Sequence, residues 1–178
     1  QELSGNTFTA TETGEHKYEF KAESYAALES NVTAFTVKID RQVPVIRVSF
    51  EGTFGRWTGE GVTFNFSTEE ASLSGINYYY DNGNGWTLID SGTSIEITDT
   101  TNAVYRFKAV NNAGTESYPS DSYHVMIDAK VPEITLTPEV TDVTPNPYKI
   151  NISTEVGESG LREVTCNGQD ITNEDSYT

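Results

Sequence analysis

Hydrophobic and polar positions alternate with a period of two through most of the chain. In "YEFKA" Tyr18, Phe20 and Ala22 fall on one face with charged residues between them, and "YRFKA" repeats this with Tyr105, Phe107 and Ala109. "FTVKI" (35–39), "VTFNF" (62–66), "YHVMI" (123–127) and "YKINI" (148–152) alternate likewise. Successive side chains of a strand point to opposite faces, so each run predicts a half-buried strand. "NNAG", "DNGNG" and "TPNP" separate such runs at spacings of about 8–12 residues, and Asn, Gly and Pro are the residues that tight turns favour. No window carries a 3.6-residue apolar period. The chain is therefore predicted to be all-β, with Phe64, Phe66, Tyr105, Phe107 and Ala109 in its core. Lys108 lies on the opposite face from Phe107 and is expected in solvent, where its truncation should change little.

The pattern also repeats. Residues 4–30 align without gaps onto 91–117 with 11 of 27 positions identical, and 35–46 continues onto 123–134 after a one-residue slip. A weaker match joins 62–76 to 148–161. The period is about 88 residues, the size of one small antiparallel β-sandwich domain. It divides the chain into 1–40, the closing half of one unit, 41–128, a complete unit, and 129–178, the opening half of a third. In "VKIDRQVP" and "VMIDAKVP" an alternating strand ends at Ile-Asp and a proline opens the next. Proline fixes φ and has no N–H to donate, so it suits the first residue of an edge strand. Such short connections limit bending between units.

Composition narrows the partners. Twenty-seven acidic against eleven basic residues give a formal charge of −16. That balance repels phosphate backbones and anionic membrane surfaces, so no nucleic-acid partner is expected. No run approaches the ~20 apolar residues of a membrane-spanning helix, so no membrane insertion is expected. A single cysteine, Cys166, excludes an intramolecular disulfide. Gln1 begins in mid-pattern, which reads as a fragment or a processed form.

These features are carried most fully by 41–128: Pro44, Trp57, the strand 62–66, Ser74-Gly75-Ile76, Tyr78 and Tyr80, Trp86, Tyr105 through Gly114, and Val125 through Asp128. The pattern resembles the bacterial immunoglobulin-like (fibronectin III-like) repeats found in tandem in large cell-surface proteins. The resemblance implies tandem immunoglobulin-like antiparallel β-sandwiches, a bacterial cell-surface or secreted setting, a spacer or stalk with a contribution to adhesion, and neighbouring repeats as partners. It brings no catalytic residues. The chain departs from the pattern at Ala26-Ala27-Leu28, where an Ala-Gly turn is expected, and at Cys166-Asn167-Gly168. Both changes fall where a functional loop would lie, which argues against a shared chemical demand on the loops.

The richest candidate site is "YYYDNGNGW" (78–86). A calcium loop of the EF type needs oxygen ligands at alternate positions and a closing bidentate Glu. Here Gly83 and Gly85 occupy alternate positions after Asp81, and no Glu closes the loop. Asn-Gly occurs twice and favours the positive φ of a hairpin turn, so the stretch reads as a turn whose Tyr78/Tyr80 and Trp86/Leu88 flank it on paired strands. No metal or cofactor is expected. The alternative is a carbohydrate-binding module, for a host glycan or protein ligand, using Trp57 in the loop "EGTFGRWTGEG" and Tyr79, which points away from Tyr78 and Tyr80 and is expected to be exposed.

The remaining candidates favour structure over chemistry. Glu69-Glu70, Glu12 with Glu15, and Asp90 read as a solvated face, since nothing marks the cleft that a carboxylate pair needs. His16 and His124 have no repeated counterpart, and no G-x-S-x-G appears beside them. Cys166 reads as a small strand residue before an Asn-Gly turn. Three glycosylation sequons begin at Asn31, Asn65 and Asn151, and two of them fall in predicted strands. Lys21 and Lys108, at one repeat position, are the candidates for a Lys–Asn cross-link, although their face points to solvent. Finally, neither end segment alone can cover its apolar face, which predicts exchange between molecules in a homo-oligomer; a half-unit shift, giving two sandwiches divided near residue 88, is the alternative.

Overall fold

The computed structural model describes residues 7–69, 71–139, 142–143, 145, 147–172 and 176–177. Among them every regular element is a strand. In chain order these are β1 (Gly14–Phe20), β2 (Thr33–Ile39), β3 (Ile46–Glu51), β4 (Trp57–Thr58) and β5 (Val62–Thr68). There follow β6 (Ile76–Asp81), β7 (Thr87–Leu88), β8 (Ser94–Ile97), β9 (Thr101–Asn111) and β10 (Tyr123–Ile127). The last are β11 (Glu133–Pro138), β12 (Ile150–Glu155), β13 (Thr165–Cys166), β14 (Gln169–Asp170) and β15 (Ser176–Tyr177).

They form sheets in the orders β1-β2, β4-β10-β9-β6-β7, β3-β5-β8, β11-β12-β15 and β13-β14. The pairs β1–β2, β9–β10, β6–β9 and β11–β12 are antiparallel, whereas the short β4 runs parallel to β10. Each strand predicted from alternation is present. Pro44 and Pro132 both precede a strand, at β3 and β11, where no ladder hydrogen bond is forfeited.

Contacts gather the chain into two compact units. The first holds residues up to Ser49, Asn65–Ser94 and Arg106–Asp121, and the second holds Phe50–Phe64, Ile95–Tyr105 and Ser122 onward. In the first unit Phe66, Tyr78, Ile89, Phe107 and Ala109 are buried, with the Phe66 ring centroid 4.8 Å from Phe107 and 5.5 Å from Tyr78. In the second Val62, Phe64, Ile97, Tyr105, Val125 and Ile127 are buried, and Phe64 meets Tyr123 edge-on at 5.2 Å. All five predicted core residues are thus inside. Burial of each large side chain contributes about 1.5–3 kcal/mol before entropy is counted. Outside these cores Phe35 of β2 and Ile134 and Leu136 of β11 remain more than half exposed.

The stretches that align in sequence carry the same internal bonds. β1 pairs β2 with Gly14 opposite Ile39 and Tyr18 opposite Phe35; β9 pairs β10 with Thr101 opposite Ile127 and Tyr105 opposite Tyr123. Ser30 Oγ accepts from Ala22 N at 2.9 Å, and Ser117 Oγ accepts from Ala109 N at 2.9 Å. Lys21 pairs with Glu29 as Lys108 pairs with Glu116. The turns match too: Ala27 N donates to Ser24 O at 2.9 Å, and Gly114 N donates to Asn111 O at 2.9 Å. Ala27, at φ 57°, takes the left-handed conformation that Gly114 takes at φ 87°. The Ala26-Ala27-Leu28 departure therefore leaves the turn geometry intact, at a steric cost of about 1–2 kcal/mol that glycine avoids. The loop is one structural device in both places.

Candidate functional site

The turn after β6 is organised by its aspartate more than by its Asn-Gly pairs. Asp81 is buried at the end of the strand, and its Oδ1 accepts from Gly83 N at 2.9 Å and Gly85 N at 3.1 Å. Its Oδ2 accepts from Arg106 at 2.8 Å. The Gly83 N–H first, the Arg106 guanidinium next and the Gly85 N–H after it hold the Asp81 carboxyl below the ordinary carboxylate range. Gly83 at φ 99° and Gly85 at φ 93° supply the turn. Both carboxylate oxygens are thus engaged by protein donors.

Across the strand lies an aromatic–cation cluster that alternation alone did not foresee. Tyr79 pairs opposite Lys108 and Leu88. Lys108 Nζ lies 5.7 Å from the Tyr79 ring centroid and 4.8 Å from that of Trp86, and it meets Glu116 at 2.9 Å. The Lys108 side chain is only 11% exposed, against 44% for Lys21, its repeat counterpart. The expectation that Lys108 stands in solvent is corrected: alternation turns it from the core, but its ammonium lies over two aromatic rings. Tyr79, expected to be exposed, is half-buried for the same reason. Trp86 lies just before β7 rather than in a strand pair, and at 36% exposure it is the more accessible ring.

Trp57 occupies a different place. It lies on β4 opposite Met126 of the parallel β10, and it lines a depression of about 140 Å³ with Thr58, Gly59, Asp128 and Ser159. The sheet order sets β10 and β9 between β4 and β6, so Trp57 and Tyr79 are not brought together on paired strands.

Two aspartates in the Ile-Asp segments have matching surroundings. Asp40 Oδ1 accepts from Gln42 N at 3.2 Å, while Oδ2 accepts from Ser72 Oγ at 2.5 Å, Ser74 N at 3.1 Å and Ser74 Oγ at 2.7 Å. Asp128 Oδ1 accepts from Lys130 N at 3.1 Å, while Oδ2 accepts from Ser159 N at 2.8 Å and Ser159 Oγ at 2.6 Å. The serine hydroxyls draw the Asp40 pKa down to about 2, and Ser159 lowers that of Asp128. Clefts of about 210 and 240 Å³ in the first unit are lined in part by Ser72, and by Asp40 with Ser74. The sequence pointed to these aspartates only as strand ends; their signal was the recurrence of Ile-Asp and of Ser-Gly one period apart.

The other candidates stay dispersed. Glu69 pairs with Arg47 at 2.8 Å and Glu15 with Lys38 at 3.0 Å, while Glu70 lies outside the described residues. Asp90 is exposed. His16 contacts Thr13 O at 3.2 Å and His124 contacts Asn102 at 2.7 Å. Cys166 ends β13 before a turn with Asn167 at φ 50° and Gly168 at φ 81°, as the sequence reading had it. Asn65 and Asn151 lie within β5 and β12. Among the described residues no three His, Cys, Asp or Glu side chains gather as metal ligands would, and no helix is long and apolar enough to cross a membrane. Comparison with family models, with curated proteins and with solved structures returns no match to this chain.

Proposed function

We propose that the chain is a run of immunoglobulin-like sandwich repeats forming a non-catalytic spacer of a bacterial cell-surface or secreted protein, with neighbouring repeats as its main partners. One observation carries this reading: polar side chains that elsewhere would build a site are spent, at two places one period apart, on the same backbone bonds. Ser30 and Ser117 each tie a strand to its return, and Asp40 and Asp128 each accept from a Ser-Gly turn. The exposed apolar residues of β2 and β11 fit this reading, as faces for an adjacent repeat or for a second copy of the chain.

A second reading, a carbohydrate-binding surface, is favoured by the accessible Trp86 ring beside Tyr79 and Lys108. Trp57, the other aromatic candidate, lies on β4, which pairs with β10. A glycan-array screen with the intact chain separates the two. The spacer reading predicts no glycan retained; retention lost in Trp86→Ala or Trp57→Ala establishes the binding module instead.

A further inference from the structure

We propose that the Ser-Gly turn of each sequence repeat is a docking socket for the aspartate that closes the preceding repeat, so that the joint between repeats is latched rather than free. The proposal rests on the spacer reading and its repeat boundaries, which place Asp40 in one sequence repeat with Ser72 and Ser74 in the next, and Asp128 in one with Ser159 in the next, while each aspartate and its serines share one compact unit of the fold.

The two joints share three bonds to the same oxygens, and Asp40 Oδ2 takes one more from the Ser72 hydroxyl. In each, Oδ1 accepts from the backbone N–H two residues on, which turns the exit chain back on itself. In each, Oδ2 accepts from the backbone N–H and the hydroxyl of one serine across the joint. That serine precedes a glycine with positive φ, Gly75 at 90° and Gly160 at 79°, and the glycine N–H closes a turn onto the residue three back. Charge-assisted bonds to a carboxylate are shorter and stronger than neutral ones. The socket of the complete unit is also held from behind: Asn112 Nδ2 donates to Ser74 O at 2.6 Å, and Asn112 N donates to Gly75 O at 3.2 Å. The buried Asn111 reaches across to Gln42 O at 3.1 Å, adding a second tie at the first joint.

Residue identity at one further position fits a socket. Ser72 of the complete unit corresponds to Gly157 of the third, and a Cβ at Gly157 would collide with the Asp128 carboxylate. Gly157 has no left-handed φ that would itself demand glycine, so its small size serves the seat of Asp128. Alanine there removes neither hydrogen-bonding partner but displaces the Asp128 carboxylate from its seat.

Trypsin reads each joint separately, because Arg41 follows Asp40 and Lys130 lies two residues past Asp128. Cleavage of a transiently opened segment tracks the population of the open form. In the intact chain under native conditions, Asp40→Ala should speed cleavage after Arg41 by about tenfold, the scale of losing charge-assisted hydrogen bonds, and leave cleavage after Lys130 unchanged. Asp128→Ala and Gly157→Ala should do the reverse. Unchanged rates in all three variants overturn the latch. Rates that rise together at both sites also overturn it, since the substitution then loosens the whole chain rather than one joint. Glycan binding by the same preparation would sink the spacer reading while leaving this cleavage pattern untouched, so the two failures are distinguishable.

Discussion

Asp40 Oδ2 accepts from both the backbone N–H and the hydroxyl of Ser74, which lies 34 residues further along the chain. Asp128 holds Ser159 with the same two bonds. A carboxyl whose folded pKa is depressed stabilises the structure above its unfolded pKa, near 4 for Asp, and that contribution is lost as pH falls through the folded value. For Asp40 the window runs from about pH 4 down to about pH 2. Asp128 is lowered as well, first by the Ser159 hydroxyl and N–H and last by the nearby Lys130 charge, with Glu155 in turn on Lys130. The chain has two tryptophans, and Trp57 lines the depression beside Asp128. In a Trp86→Phe background, tryptophan emission should therefore shift on acidification below pH 4. In Asp128→Asn the shift should be absent; an identical transition in that variant would assign the change elsewhere.

Truncation should separate the two faces of β9, though less cleanly than alternation suggests. Phe107→Ala empties a fully buried position and should cost about 3–5 kcal/mol in chemical denaturation. Lys108→Ala removes a shielded ion pair and two ring contacts and should cost about 1–2 kcal/mol. Lys21→Ala, which loses only an exposed pair, should fall below about 0.5 kcal/mol. Equal losses for the two lysines would remove the aromatic shelter from the account.

The matching turns make a reciprocal prediction. Ala27→Gly relieves a left-handed alanine and should stabilise by about 1 kcal/mol, whereas Gly114→Ala should destabilise by a similar amount. No atom lies near enough to Gly114 to clash with a new Cβ, so its penalty is conformational alone. Opposite signs in paired denaturation curves support one turn in two places; the same sign for both contradicts it.

Strand pattern, core and turns were legible in the sequence because each depends on local spacing. Phe64, Phe66 and Phe107 needed only alternation, and the Asn167-Gly168 turn only its residue types. The shelter of Lys108 was not legible, because it depends on where Trp86 comes to rest after a turn whose geometry is set by Asp81. The role of Asp40 was half-legible. Its recurrence as Asp128 stood in the repeat, but a bond 34 residues distant leaves no local trace.

At the Asp81 turn both carboxylate oxygens are occupied by Gly83, Gly85 and Arg106. Titration calorimetry after chelation should give no micromolar calcium heat, and added calcium should leave the melting temperature unchanged. Asp81→Ala should lower that temperature, since the turn loses its organising acceptor. A calcium-dependent rise of several degrees in the unaltered chain would make Asp81 a ligand.

Pulling single molecules from their two ends reads out whether the chain is a spacer built from units of about 88 residues. One dominant cooperative rupture is expected. Its contour-length gain should match residues 41–128, roughly 30 nm less the folded length of the unit at the ~3.4 Å per residue of an extended chain. Two ruptures of equal length dividing the chain near residue 88, or a smooth extension without a rupture, would contradict it.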